Sequence, residues 1–89
     1  MKIYKYKLGS IVELPKGARI LHCNTQDKCL HVWALVDPEE KLTTTYEVAV
    51  VGTGHDFNPD KWDYITTVMD GMFVWHIWFK QIVDDWEFS

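Results

Sequence analysis

Apolar and polar residues alternate through most of this chain. In KIYKYKL, Tyr4, Tyr6 and Leu8 fall on one side of an extended backbone and Ile3, Lys5 and Lys7 on the other. That period of two is the mark of a half-buried strand. IVEL is a short extended piece, and Pro15-Lys16-Gly17 reads as a tight turn, because Pro fixes φ and Gly accepts φ > 0. ARILHCN and CLHVWALVD flank TQDK, a hairpin in which Asp27 supplies turn chemistry. The almost wholly apolar run from Leu30 to Val36 suits a central strand covered on both faces. Asp37-Pro38 opens a polar loop. TYEVAVVG is a further strand with Tyr46, Val48 and Val50 on one side, and WDYITTVMD and MFVWHIWFK form a last hairpin about Asp70-Gly71. NPDKWDY alone carries helical signals, with Asn58 as cap, Pro59 at the first helical position and Asp60 in the first turn.

These elements predict a mainly β fold, a small antiparallel β-roll or barrel of about six strands with one short helical turn near residues 59–64. Residues 1–80 read as a single β-rich domain and 81–89 as an acidic-aromatic C-terminal tail. No repeat, linker or low-complexity segment interrupts the chain.

Composition sharpens this reading. The chain has 89 residues, of which 47% are apolar, and it holds five tryptophans. A domain this small buries only about two thirds of its unfolded surface, so some of its rings should stay exposed, where they favour protein interfaces. The formal net charge is −4, which argues against sequence-independent nucleic-acid binding. The charge is uneven, however. Lys2, Lys5, Lys7, Lys16 and Arg19 precede residue 20 with Glu13 as the sole acid among them, and the chain ends in Asp84, Asp85 and Glu87. The N-terminus has no apolar core of the kind a secretory signal needs, and no run approaches the ~18 apolar residues of a membrane span. A cytoplasmic protein with Cys23 and Cys29 as reduced thiols is the expectation.

The motif-like run VVGTGHDFNPDKW invites a catalytic reading that its spacing does not support. A phosphate loop needs glycines five apart followed by Lys and Ser or Thr, and a dinucleotide fingerprint needs a third glycine and a long helix. Gly52 and Gly54 close a β-branched strand and read as a bulge or corner. His55 and Asp56, adjacent on an extended segment, point to opposite sides and do not form a dyad. Cys23, Cys29 and His31 share one hairpin and could seed a zinc site. They lack the knuckle spacing and a fourth ligand, and a buried cysteine is also a small apolar residue. No metal and no cofactor are expected. No nucleophile elbow occurs. FVWHIW carries bulk on both faces, so it is either a central strand or covered by a partner; the core of a small barrel explains it more simply than base stacking.

VELPKGARIL, WALVDP, VVGTGH and the closing VWHIW, in that order and spacing, resemble an uncharacterised family of small proteins encoded by bacteriophages and prophages. The resemblance covers about residues 2 to 80. It implies a phage origin and one compact domain. The family carries no established activity, so no site residue follows from it. The chain departs from the family pattern in its tail after Lys80, and in NTQDKC, where the pattern has a glycine-containing turn. The resulting expectation is a non-enzymatic phage accessory protein in the host cytoplasm that binds a host or phage protein, with self-association as its simplest form. The residues expected to carry the contact are Asp84, Asp85, Trp86, Glu87 and Phe88 of the tail and the corner His55, Asp56 and Phe57. Acids would steer the encounter and rings would anchor it. The alternative is a nucleic-acid or nucleotide binder that uses Lys2, Lys5, Lys7 and Arg19 with exposed aromatics.

Overall fold

The computed structural model describes residues 1–82. They form seven strands: β1 (Lys2–Lys7), β2 (Ile11–Pro15), β3 (Arg19–Gln26), β4 (Cys29–Val36), β5 (Thr43–Gly52), β6 (Asp63–Asp70) and β7 (Phe73–Gln81). The strands make two antiparallel sheets, β1-β4-β3 and β2-β5-β7-β6. The inner faces of the two sheets meet in one core that includes Leu8, Val12, Leu14, Cys23, Val32, Val68, Ile77 and Phe79. Alternate residues of each strand supply it, as period-two patterning requires. IVEL, read as a short extended piece, is a full strand of the second sheet, which raises the count from about six to seven.

The sheets do not close into a barrel. The edge strands β3 and β6 approach within 8 Å between Cα atoms, but no ladder joins them. Both carry a register shift at this seam, β3 between Ile20 and His22 and β6 between Tyr64 and Thr66. A bulge disrupts pairing locally and twists its strand. With one on each facing edge, the two strands pack side chains across the seam instead of exchanging backbone hydrogen bonds.

Local chemistry accounts for the turns. Gln26 pairs with Cys29, so the first hairpin turns on Asp27-Lys28, with φ of 54° and 67°. Two positive values define a type I′ turn. Asp70 pairs with Phe73, so the last hairpin turns on Gly71-Met72, not on Asp70-Gly71 as the sequence suggested. Gly71 has φ 60°, the position that glycine fills in a type II′ turn.

The expected helical turn near residues 59–64 does not form, and no helix occurs among the described residues. Its cap does form: Asp60 N–H donates to Asn58 Oδ1 at 3.0 Å. One further bond, Trp62 N–H to Pro59 O at 2.9 Å, closes a single turn. Lys61 then adopts φ 66°, a left-handed conformation that a right-handed helix cannot continue through. The reversal sends the chain directly into β6. It also seats Trp62 against Phe57, with ring centroids 5.7 Å apart.

β4 is central in its sheet, but only one of its faces is buried in the core. Leu30, Val32, Ala34 and Val36 point inward, while Cys29, His31, Trp33 and Leu35 are half-buried on the outer face. β7 is central in the other sheet. Ile77 and Phe79 face the core, and on its outer face Trp78 lies under the loop that follows β5, 5.0 Å from Phe57 and 5.3 Å from Tyr64 between ring centroids.

Candidate functional site

The Gly52-Thr53-Gly54-His55 corner is a turn. His55 N–H donates to Gly52 O at 3.1 Å, and Gly54 has φ 87°, as the third residue of a type II turn requires. The backbone amide that would have to point at a phosphate instead closes the turn. Thr53 and His76 pin this corner to the sheet. Thr53 Oγ1 lies 2.8 Å from His76 Nε2, and His76 Nδ1 lies 2.9 Å from Thr67 Oγ1. Thr67 Oγ1 in turn contacts the Tyr64 hydroxyl. A histidine whose two ring nitrogens both meet threonine hydroxyls fastens a loop, and among the described residues no carboxylate orients it as the acid of a hydrolytic triad would.

The corner residues His55, Asp56 and Phe57 separate in space. His55 stands over Gly52 on the core side of β5, at the end of the sheet. Asp56 is exposed. Phe57 crosses to the outer face, where it packs between Trp62 and Trp78, and Lys80 Nζ caps Trp62 at 5.6 Å from the ring centroid. Phe57 is therefore half-buried in a loop-anchoring cluster. The tail residues Asp84, Asp85, Trp86, Glu87 and Phe88 lie outside the described residues. β7 runs to Gln81, and Ile82 N–H still donates to Thr45 O at 2.9 Å.

The zinc geometry does not assemble. The two-residue turn sets a register in which Cys23 pairs with Val32 and Cys29 with Gln26, so the two cysteines do not face each other. Cys23 faces the core, where burial pushes its thiol up to about 11. Cys29 and His31 belong to the opposite face, and His31 Nδ1 lies 3.1 Å from the Cys29 carbonyl oxygen. Among the described residues no group of three His, Cys, Asp or Glu side chains could hold a metal ion.

Two surfaces stand out instead. The first is an apolar end. β5 and β7 extend past the sheet that should cover them, so their inward row continues into solvent. Val50 is 45%, Phe73 60% and Met72 94% exposed. Phe73 stacks on Trp75, with centroids 5.5 Å apart and planes at 14°. Trp75 links two open depressions, one bordered by His55 and Met72, the other by Val50 and the β3–β4 turn. Sequence reasoning missed this site because it depends on how far one sheet overhangs the other. The exposed Gly71-Met72-Phe73 tip was its one local signal.

The second surface is the outer face of the three-stranded sheet. Register places Lys5 beside Trp33 and Trp33 beside His22, with Lys7 beside His31 in the next row. Arg19 shares the face beside Leu35. Lys2, paired with Val36, points to the other side. Three of the four cations expected to contact nucleic acid, Lys5, Lys7 and Arg19, thus share one face.

Over residues 1–85 the sequence matches the family described as a domain of unknown function, DUF7352, and the chain belongs to it. No curated protein and no solved structure matches the chain. No helix among the described residues is long and apolar enough to cross a membrane.

Proposed function

We propose that this member of the DUF7352 family is a non-enzymatic accessory protein, of phage origin, that acts by binding a protein of the host or of the phage. The observation that carries the reading is the apolar end. A stacked Phe73–Trp75 pair presents large, rigid rings, with Val50 and the nearly fully exposed Met72 beside them. Aromatic rings, with few rotatable bonds, lose little entropy on association and carry much of the binding energy where they enter a pocket. The sheet below them is ordered by the core, so the anchors are positioned before a partner arrives. The fitting partner is a protein that inserts an apolar side chain between Val50, Trp75 and the β3–β4 turn, where Lys7, Lys28 and Asp70 form a polar rim. The acidic-aromatic tail would extend the contact.

The test compares tagged wild type with Phe73→Asp, both shown to be folded, as baits for lysate of infected host cells. Supporting the reading is a stoichiometric protein captured by wild type and lost by the variant. A bait that returns alone, or a capture indifferent to Phe73→Asp, overturns it. A Phe73-dependent second copy of the bait would show that the apolar end serves self-association and no other protein.

A further inference from the structure

Charge in this fold is sorted by sheet. The strands of the three-stranded sheet carry Lys2, Lys5, Lys7 and Arg19 and no Asp or Glu. Those of the four-stranded sheet carry Glu13, Glu47, Asp63 and Asp70 against Lys80 alone. The net charge of −4 therefore hides one cationic face. At its centre is Trp33, half-buried on the middle strand. The ring of His22 lies 5.7 Å from it and the ring of His31 6.3 Å, both tilted by 48°. Directly opposed residues in an antiparallel pair have Cβ atoms about 5 Å apart, so Lys5 borders the tryptophan on the side away from His22. Lys5 Nζ already donates to Gln26 Oε1 across the same face, which shows its ammonium lying over the sheet.

We infer that the outer face of the three-stranded sheet binds single-stranded nucleic acid, with bases stacked on Trp33 and the flanking imidazoles and phosphates held by Lys5, Lys7 and Arg19. An anion is called for because the three strands carry cations and no Asp or Glu of their own; among the described residues the Asp70 carboxylate borders Lys7 at the end of the face, which leaves Lys5 and Arg19 as its principal cations. A single strand is favoured over a duplex because flat rings on the middle strand of a sheet can stack only bases that are free of the helix. The face is four rows long, which fits about two or three nucleotides. This site meets the apolar end at Lys7, which also borders the depression beside Val50 and Trp75; Trp33, Lys5 and Arg19 lie outside that depression, so Trp33→Leu tests the inference independently of the proposed protein partner.

The test is fluorescence anisotropy of a labelled 12-nucleotide poly-dT strand with the full chain. Three phosphate contacts on a single strand predict a slope of about −2 for log affinity against log salt. Lys5→Gln with Lys7→Gln should weaken binding by about tenfold or more and flatten that slope. Trp33→Leu, which keeps apolar cover on the sheet, should weaken it by at least fivefold with the slope unchanged, because base stacking carries no counterion release. Phe73→Asp should bind as wild type does. Inorganic polyphosphate of matched charge should compete poorly. The inference is overturned if no binding is seen at low salt, or if Trp33→Leu is silent and polyphosphate competes as well as the oligonucleotide. It is overturned equally if a duplex of the same sequence binds as tightly as the single strand.

Discussion

The imidazole of His55 lies over Gly52 so closely that a Cβ on the glycine would stand 3.2 Å from both Cε1 and Nδ1. Two residues later the constraint changes kind. A Cβ on Gly54 would meet nothing within 4 Å, but Gly54 has φ 87°. The two glycines of this corner are therefore required for different reasons, one by space and one by backbone conformation.

Gly52→Ala should be nearly silent in stability, within about 0.5 kcal/mol. Alanine lowers the entropy of the unfolded chain, and the exposed His55 ring can yield by a few tenths of an ångström. Gly54→Ala should cost about 1–2 kcal/mol, because only glycine visits this region freely. Urea denaturation of both variants, with the His55 ring resonances as a local probe, checks the pair. The ring should move in Gly52→Ala. Equal destabilisation by the two variants would contradict the assignment.

Two lysines occupy left-handed conformations, Lys28 at φ 67° and Lys61 at φ 66°. Each carries strain that glycine would relieve. Lys28→Gly completes the Asp-Gly pair preferred in a type I′ hairpin, and Lys61→Gly suits the one-turn reversal before β6. Each should stabilise the fold by about 0.5–1 kcal/mol after glycine's extra unfolded-state entropy is subtracted. For a domain of this size that raises Tm by about 2–8 °C. Differential scanning calorimetry of the single and double variants should find the gains additive, since the two turns share no side-chain contact and distant sites add.

The two thiols should behave as unlike groups. Cys23 is 6% exposed, and burial holds its thiol protonated up to about 11, so the nucleophilic thiolate is both scarce and covered. A disulfide reagent at pH 8 should titrate one thiol in the native protein, Cys29, and two in denaturant. The raised value also couples to stability. Above pH ~9 the unfolded chain gives up a proton that the folded chain keeps, so stability falls as pH rises toward about 11, by about 2–3 kcal/mol in all. Tyr6, raised by burial and then by the charge of Tyr4, adds a loss of the same sign at still higher pH. Urea midpoints measured from pH 8 to 11 should decline, and Cys23→Ala should remove the part of the decline that sets in first.

Most of the strands were legible because their alternation survives in the linear chain: Tyr6 and Leu8 do reach the core, as do Tyr46 and Val48, whereas Tyr4, two residues before Tyr6, stays exposed. The DUF7352 membership agrees with a resemblance to an uncharacterised family. What was illegible depends on distance in space. Periodicity says nothing about which sheet a strand joins, so neither the β2-β5-β7-β6 order nor the overhang at Phe73 could be read. The reversal at Lys61 was hidden because Asn58, Pro59 and Asp60 carry helical signals that are locally correct, and the preference for helix is overruled by the seat that Trp62 finds on Phe57. The gathering of Lys5, Lys7 and Arg19 needed the β1–β4–β3 pairing, whereas their crowding near the N-terminus was plain.

Two phenylalanines that look alike in sequence should separate cleanly. Phe57 is half-buried, ring to ring with Trp62 and Trp78, and Lys80 closes the cluster over Trp62. Phe57→Ala removes the middle of this stack. It should cost about 1–2 kcal/mol, less than a fully buried phenylalanine would, and it should raise hydrogen exchange through residues 53–62, whose other tether is the Thr53–His76 contact. Phe73 exposes 60% of its surface to solvent and, among the aromatic rings of the described residues, rests on Trp75 alone. Phe73→Ala should therefore change stability by no more than about 0.5 kcal/mol. The functional ordering runs the other way. Capture of a protein partner should survive Phe57→Ala at temperatures where the variant is folded and should fail in Phe73→Ala. If Phe57→Ala instead abolished capture without loosening the loop, the contact surface would lie at the corner on the outer face of the four-stranded sheet, and the apolar end would be left without a role.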